Sequence, residues 1–277
     1  MTDVTWTADL PPDGAYADVN GIRLWHTSTG TGRPLVLLHG GLGSGEMFGP
    51  ILPLLAAGRR VITVDLQGHG RTADIDRPIT LAGMAGDIAA LSDHLGLGQA
   101  DLMGYSLGGG VALQVAVRHP ELVRRLILVS AYVRSTDPYP EIRAQQGAVS
   151  AAIAPMMEGT PMLELYRRVA PRPEDFPRLL DKMGAWMAEP FDLSSDLAAV
   201  RVPTLFASAD ADMFSPVTAA ETFRLLDGGL RDGGWMREGR PAGGHALAII
   251  PNATHYDVFQ SPVLAAAAIA FLDAPDR

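Results

Sequence analysis

The sequence predicts an α/β fold built on a mostly parallel central sheet flanked by helices, and three observations carry that prediction. Short runs rich in Val, Ile and Leu alternate with helix-like stretches along most of the chain, the rhythm of stacked strand and helix layers. The runs are apolar almost throughout, as strands buried on both faces are. At 277 residues the chain is near the size at which one core stops growing, so a single sheet with one insertion accounts for it.

The elements follow in order. AYADVNGIRLWHTSTG reads as two strands joined by Asn20-Gly21, a dipeptide suited to a tight hairpin turn. The buried strands are RPLVLLHG (33–40), RRVITVD (59–65), ADLMG (100–104), RRLILVS (124–130), VPTLFAS (202–208) and HALAIIP (245–251), each closed by turn residues. Helices are expected between them near 47–56, 80–95, 107–118, 216–227 and 261–272. From about 131 to 200 the rhythm breaks: prolines are frequent, and five of the eleven methionines fall there. Phe176, Leu179, Leu180, Met183 and Met187 follow the stripe of an amphipathic helix, with Pro177 in its first turn. The stretch is therefore expected to be a helical cap, residues 131–200, inserted into a core made of 1–130 and 201–277. GGLRDGGWMREGRPAGG (228–244) reads as an exposed excursion before the last strand.

Composition narrows the function. Hydrophobic residues at 47% and charged residues at 19% are ordinary for a globular protein. No run reaches the roughly 18 apolar residues that a membrane span needs. The opening MTDVTWTADLPPDG has acids and no basic residue, unlike a secretory or transit signal, so a cytoplasmic location is expected. A net charge of −9 disfavours nucleic acid and anionic membrane as partners; a small-molecule substrate is expected, and a homo-oligomer stays open. The absence of cysteine excludes disulfides, a thiol nucleophile and thiolate metal sites. Histidines 26, 39, 69, 94, 119, 245 and 255 include no pair at three- or four-residue spacing, so no metal is expected. Nor is a nucleotide cofactor: GLGSGE lacks the last glycine of the dinucleotide fingerprint, GHGRTA is followed by DIDRP where a helix should open, and no G-K-[ST] occurs.

The chemistry concentrates around MGYSLGGG (103–110). Ser106 follows a strand and precedes a helix, and a serine on that sharp turn is exposed and strained, so side chains two before and two after would collide. Gly104 and Gly108 remove them. The helix that starts there aims N–H groups at the serine and favours a developing oxyanion. A serine hydroxyl needs a base and a group that orients the base. PNATHYDVF supplies His255 after the last strand, while His245 would begin that strand and sit at the sheet's opposite end. FASADADMFSP offers Asp210 and Asp212, either of which suits a turn. LLHGGLGSG ends a strand in a glycine-rich loop, and the N–H of Gly41, with that of Leu107, would form an oxyanion hole. His39 is assigned to shaping that loop, and Asp65 to holding the DLQGHGRT turn. In the cap, Met156, Met157, Met162, Trp186 and Met187 would line an apolar acyl site, or else pack the cap's own core.

With HG-x early, G-x-S-x-G in the middle, D-x-x-x-P later and a terminal His, the chain resembles the α/β-hydrolase superfamily from about residue 16 to 272. The resemblance implies the α/β-hydrolase fold and selects Asp212 as the acid, because it stands four residues before Pro216 and Asp210 does not. Ala209 replaces the glycine usual in that pattern, and Thr72 stands where the family's D-x-x-G-x-G-x-S loop has serine. A serine at 106 argues against dehalogenases and epoxide hydrolases, which place Asp there. The resemblance implies a serine hydrolase acting on a small ester-like substrate; lactonases, carbon-carbon bond hydrolases and cofactor-free perhydrolases share the same triad. A non-catalytic ligand-binding member of the fold is the rival from another class.

Overall fold

The computed structural model describes residues 14–236 and 244–275. Strands β1 (Gly14–Val19) and β2 (Ile22–Thr29) make the expected hairpin, with φ of 48° at Asn20 and 75° at Gly21, the left-handed values that a two-residue primed turn requires. Then come β3 (Arg33–Leu38), β4 (Arg59–Val64), β5 (Ala100–Tyr105), β6 (Val123–Val129), β7 (Thr204–Ala211) and β8 (Ala246–Thr254). All eight join one sheet in the order β1-β2-β4-β3-β5-β6-β7-β8. β2 runs antiparallel to β1 and β4, and the remaining neighbours are parallel. Both faces are covered, as the continuous apolar runs predict. Along β3, Leu35 and Leu37 join one core layer while Val36 and Leu38 join the other, the alternation of a pleated strand.

The helices are α1 (Leu52–Ala56), α2 (Leu81–His94), α3 (Leu107–Arg118), α4 (Pro140–Gly147), α5 (Pro161–Val169), α6 (Phe176–Ala188), α7 (Ser194–Ala199), α8 (Pro216–Leu225) and α9 (Pro262–Leu272). Three of them start alike: Thr160, Ser215 and Ser261 each accept a backbone N–H of the first turn, and a proline follows at once. The hydroxyl satisfies an orphan donor, and proline fills a position whose N–H would have no partner. One helix expected near 47–56 is instead a 3₁₀ turn (Gly45–Phe48) and the short α1, because Pro50 between them has no N–H to continue the ladder. Among the described residues no helix is long and apolar enough to cross a membrane.

Two strands outrun their sequence boundaries. β7 continues to Ala211 and β8 to Thr254, past Pro251 and Asn252. Proline is tolerated because β8 is an edge strand. Beyond the register shift at Ala209/Ala211 the ladder is completed by a side chain: Asp210 accepts the N–H groups of Asn252 (2.9 Å) and Ala253 (3.0 Å). In the 228–244 excursion, Trp235 and Met236 are exposed, and 237–243 lie outside the described residues.

The chain between β6 and β7 contributes helices and one isolated antiparallel bridge, Arg134 to Asp192. It leaves and returns at one place, where Ser135 N donates to Phe191 O (3.0 Å) and Leu193 N to Val133 O (2.8 Å). Four residues of the predicted stripe on α6 are buried, Phe176, Leu179, Leu180 and Met183, all at 2% exposure or less, and the fifth, Met187, is half-buried. Two buried acids of the sheet-end loops hold cations of this segment. Glu46 pairs with Arg168 and with Arg71, and Asp74 pairs with Lys182 (2.7 Å) and Arg178 (2.8 Å).

Candidate active site

The site is assembled where parallel strands end, the edge at which open α/β sheets place their ligands. Ser106 sits between β5 and α3 with φ 52° and ψ −118°, outside the regions open to an L-residue and costing about 1–3 kcal/mol in strain. Its N–H donates to Val129 O (2.9 Å), and Gly109 N donates to Ser106 O (2.9 Å). The flanking glycines are required sterically. A Cβ on Gly104 would lie 2.1 Å from Gly108 O, and one on Gly108 would lie 2.3 Å from Leu38 O.

His255 follows β8, and its Nε2 lies 3.2 Å from Ser106 Oγ. Its Nδ1 is 2.7 Å from Asp212 Oδ1; with Nδ1–H donating to the carboxylate, Nε2 is left to accept the serine proton. Asp212 also accepts from Ser130 Oγ (2.5 Å), Ala209 N (3.0 Å) and Met213 N (2.8 Å). Burial opposes the ionisation of Asp212, but His255 and these donors outweigh it and hold the carboxyl below its ordinary range. The rival acid Asp210 is exposed and engaged with the backbone of β8, and the rival base His245 stands before the opposite end of that strand.

On the other side of Ser106, the loop after β3 passes close by: a Cβ on Gly40 would lie 3.3 Å from Ser106 Cβ. Among the described residues neither the Gly41 N–H nor that of Leu107, at the first position of α3, has a protein acceptor. Both residues line the cavity. The loop is fixed from beneath. His39 Nδ1 donates to Gly40 O (2.7 Å) and its Nε2 accepts from Leu66 N (3.0 Å), while Asp65 accepts from Gly45 N (2.7 Å) and Arg71 N (2.8 Å). Burial, aided by the neighbouring His69, lowers the His39 pKa to about 3. Burial likewise raises Asp65 to about 6, against the hydrogen bonds from Arg71 and Gly45.

The cavity over Ser106 measures about 200 Å³. Its lining contains no Asp, Glu, Lys or Arg among the described residues. Of the five residues between 131 and 200 singled out from the sequence, Met162, Trp186 and Met187 line it; Met156 and Met157 do not. Those two belong to a 3₁₀ turn, Ala151–Met157, which leaves Met156 80% exposed and packs Met157 on the core. The three-residue turn rotates them off the face that a 3.6-residue helix would have presented. Sequence spacing missed Ser130 and also Tyr105, whose hydroxyl donates to His255 O (2.6 Å). Only the polar residue ending the 124–130 run hinted at Ser130. No cluster of three or more metal-ligating side chains occurs among the described residues.

The profile of the family described as alpha/beta hydrolase fold matches residues 33–161. The chain is similar to the putative carbamate hydrolase RutD of Variovorax paradoxus (strain S110), with 34% identity over 77% of this chain and 85% of that protein. It is also similar to the pimeloyl-[acyl-carrier protein] methyl ester esterase of Neisseria meningitidis serogroup B / serotype 15 (strain H44/76), 42% identical over 39% of this chain and 41% of that one. Its fold resembles a thermophilic esterase from Thermogutta terrifontis, with a TM-score of 0.70 and 24% identity over 94% of this chain and 98% of the other. A likeness of that extent to the carbamate hydrolase, joined to the profile match and the sheet order, makes the chain a member of the alpha/beta hydrolase family.

Proposed function

We propose that this hydrolase is a serine hydrolase that cleaves a small, uncharged ester or related acyl compound through an acyl-enzyme. The observation that carries the proposal is the unbroken chain Asp212 to His255 (2.7 Å) to Ser106 (3.2 Å) at a strained turn. Ser106 Oγ attacks the carbonyl carbon while His255 Nε2 takes its proton, and Asp212 fixes the imidazole tautomer and stabilises the cation. The Gly41 and Leu107 N–H groups hold the tetrahedral oxyanion, each typically worth on the order of 3 kcal/mol. His255 then gives the proton to the departing alkoxide, and the acyl group remains on Ser106. Water, deprotonated by His255, attacks that ester, and His255 returns the proton to the departing Ser106 Oγ as the acid is released.

Substrate character follows from the cavity. An ionised group buried there would lose its hydration with no opposite charge in the lining, which costs several kcal/mol. The methionines and Trp186 offer an adaptable apolar wall, and about 200 Å³ is below the roughly 300–1,000 Å³ of drug-sized sites. We place residues 131–200 over the core as a cap that supplies this wall, and the reaction in the cytoplasm, without cofactor or metal. The relatives' names, a carbamate hydrolase and a methyl ester esterase, both denote acyl transfer to water, which supports the reading.

A screen of p-nitrophenyl esters of increasing chain length, lactones and vinylogous diketones against wild type and Ser106→Ala tests it. Expected is turnover of uncharged esters, strongest beyond acetate, with kcat reduced by on the order of 10⁴–10⁶ in Ser106→Ala. Turnover retained in that variant would overturn the nucleophile.

A further inference from the structure

The apolar cavity holds one polar pair that the proposed mechanism leaves idle. Tyr132, just past β6, and Gln146, on α4, both line it, and Gln146 Nε2 donates to the Tyr132 hydroxyl at 3.0 Å. That bond uses an acceptor site of the phenol and leaves its O–H without an acceptor among the described residues. If the Gln146 amide is turned over, the inner bond reverses and Nε2–H takes the phenol's place as the spare donor. In either arrangement at least one donor is left for whatever occupies the cavity. Burial pushes the Tyr132 phenol above its ordinary pKa, so it stays protonated.

The donor is held in place. The Tyr132 ring stacks on Phe191 (5.9 Å between centroids, 20° between planes), and Phe191 stacks on Trp186 (6.2 Å, 18°). All three rings line the cavity, and Phe214 meets Tyr132 edge-on. Sheet order sets its direction: β3, which carries the oxyanion loop, and β6, which carries Tyr132, flank β5 on opposite sides. A carbonyl whose oxygen turns toward Gly41 thus has the rest of its molecule free to reach the β6 side, where the aromatic wall stands.

We propose that Tyr132 and Gln146 form a specificity subsite for an uncharged hydrogen-bond acceptor, such as a ketone or amide oxygen, on the apolar part of the substrate away from the reacting carbonyl. This rests on the serine hydrolase reading above. In this half-buried position a donor with no acceptor among the described residues gains a hydrogen bond from a matching oxygen, so the subsite discriminates against a plain hydrocarbon chain of the same length.

The test uses full-length protein and ethyl p-nitrophenyl hexylphosphonate, together with analogues carrying one ketone oxygen at the third, fourth or fifth carbon. Phosphonylation forms a Ser106 Oγ–phosphorus bond and expels p-nitrophenolate, so its rate is read without turnover. The expected result is about a tenfold rate preference for one oxo position over the parent chain, the scale of one hydrogen bond. That preference disappears in the single variant that removes the donating residue, Tyr132→Phe or Gln146→Leu, and in the double variant Tyr132→Phe/Gln146→Leu. The ratio is internal to each protein, so a general loss of folded material cancels. Equal rates for oxo and parent compounds in wild type, or a preference that survives in the double variant Tyr132→Phe/Gln146→Leu, would overturn the subsite while leaving the nucleophile intact. No Ser106 adduct with any compound would overturn the hydrolase reading and the subsite with it.

Discussion

Two regions enclose the cavity and are fixed in opposite ways. The loops after β3, β5, β7 and β8 are tied by backbone groups and fully buried side chains: Ser106 N to Val129 O, Gly45 N to Asp65, Ser130 to Asp212, Tyr105 to the His255 carbonyl. The segment between β6 and β7 rests on the core through the apolar stripe of α6 and through cations reaching buried acids, Arg168 to Glu46 and Lys182 and Arg178 to Asp74. Bonds of the first kind have few alternatives and hold reacting atoms to fractions of an ångström, as catalysis requires. Contacts of the second kind are made by the segment's side chains rather than by its backbone. On the proposed mechanism, the difference separates where chemistry is set from where the substrate is chosen.

Crowding the first region is the severest way to break this contrast. Gly108→Ala drives a Cβ to 2.3 Å from Leu38 O and 2.5 Å from His39 O, backbone atoms at the end of β3 and the start of the loop that follows it. The expected cost is about 3 kcal/mol or more of unfolding free energy, with loss of hydrolysis in whatever still folds. Chemical denaturation followed by circular dichroism measures it, and an unchanged midpoint would show that the elbow is looser than its contacts imply.

Weakening the second region has a smaller and different effect. Lys182 Nζ lies 2.9 Å from Asp74 Oδ1 and donates to Ile75 O (2.6 Å) and Arg77 O (2.8 Å), so Lys182→Ala leaves a buried carboxylate and two carbonyls under-satisfied. A loss of about 1–3 kcal/mol is expected, with KM on apolar esters raised several-fold and kcat changed much less. A fall in kcat equal to the fall in kcat/KM would erase the distinction between the regions. Arg167→Ala serves as the control: its partners Glu158 and Glu164 are exposed, and pairs of that kind contribute little, so the melting temperature should stay where it is.

The same contrast explains what could be read from the sequence. The strands β3 to β8 were legible as short apolar runs, because burial on both faces leaves few residue types to choose from in the middle of the sheet, whereas β1 and β2 were legible from the Asn20-Gly21 turn and the edge strand β8 is only partly buried. Ser106, with Gly104 and Gly108, was legible because the turn demands glycine at fixed spacing on either side of the serine. Asp212 was separable from Asp210 only through the family pattern; in the structure, Pro216 starts α8 just beyond the turn that presents Asp212. Ser130 and Tyr105 were not legible, since their partners Asp212 and the His255 carbonyl lie 82 and 150 residues away. The cavity wall was legible only in part. Met162, Trp186 and Met187 lie on helices and face inward, whereas the 3₁₀ turn carries Met156 out to solvent. Tyr132, Gln146 and Phe191 reach the cavity by tertiary folding of the 131–200 segment, which leaves no period in the sequence.

The most direct test of the central claim, that Ser106 is a nucleophile activated by His255 and Asp212, is mass-spectrometric mapping after reaction of the folded protein with a fluorophosphonate. The proposed mechanism predicts one adduct, on the peptide containing Ser106, formed far more slowly in His255→Ala. An unmodified Ser106 in folded wild type, or labelling unaffected by His255→Ala, would contradict it.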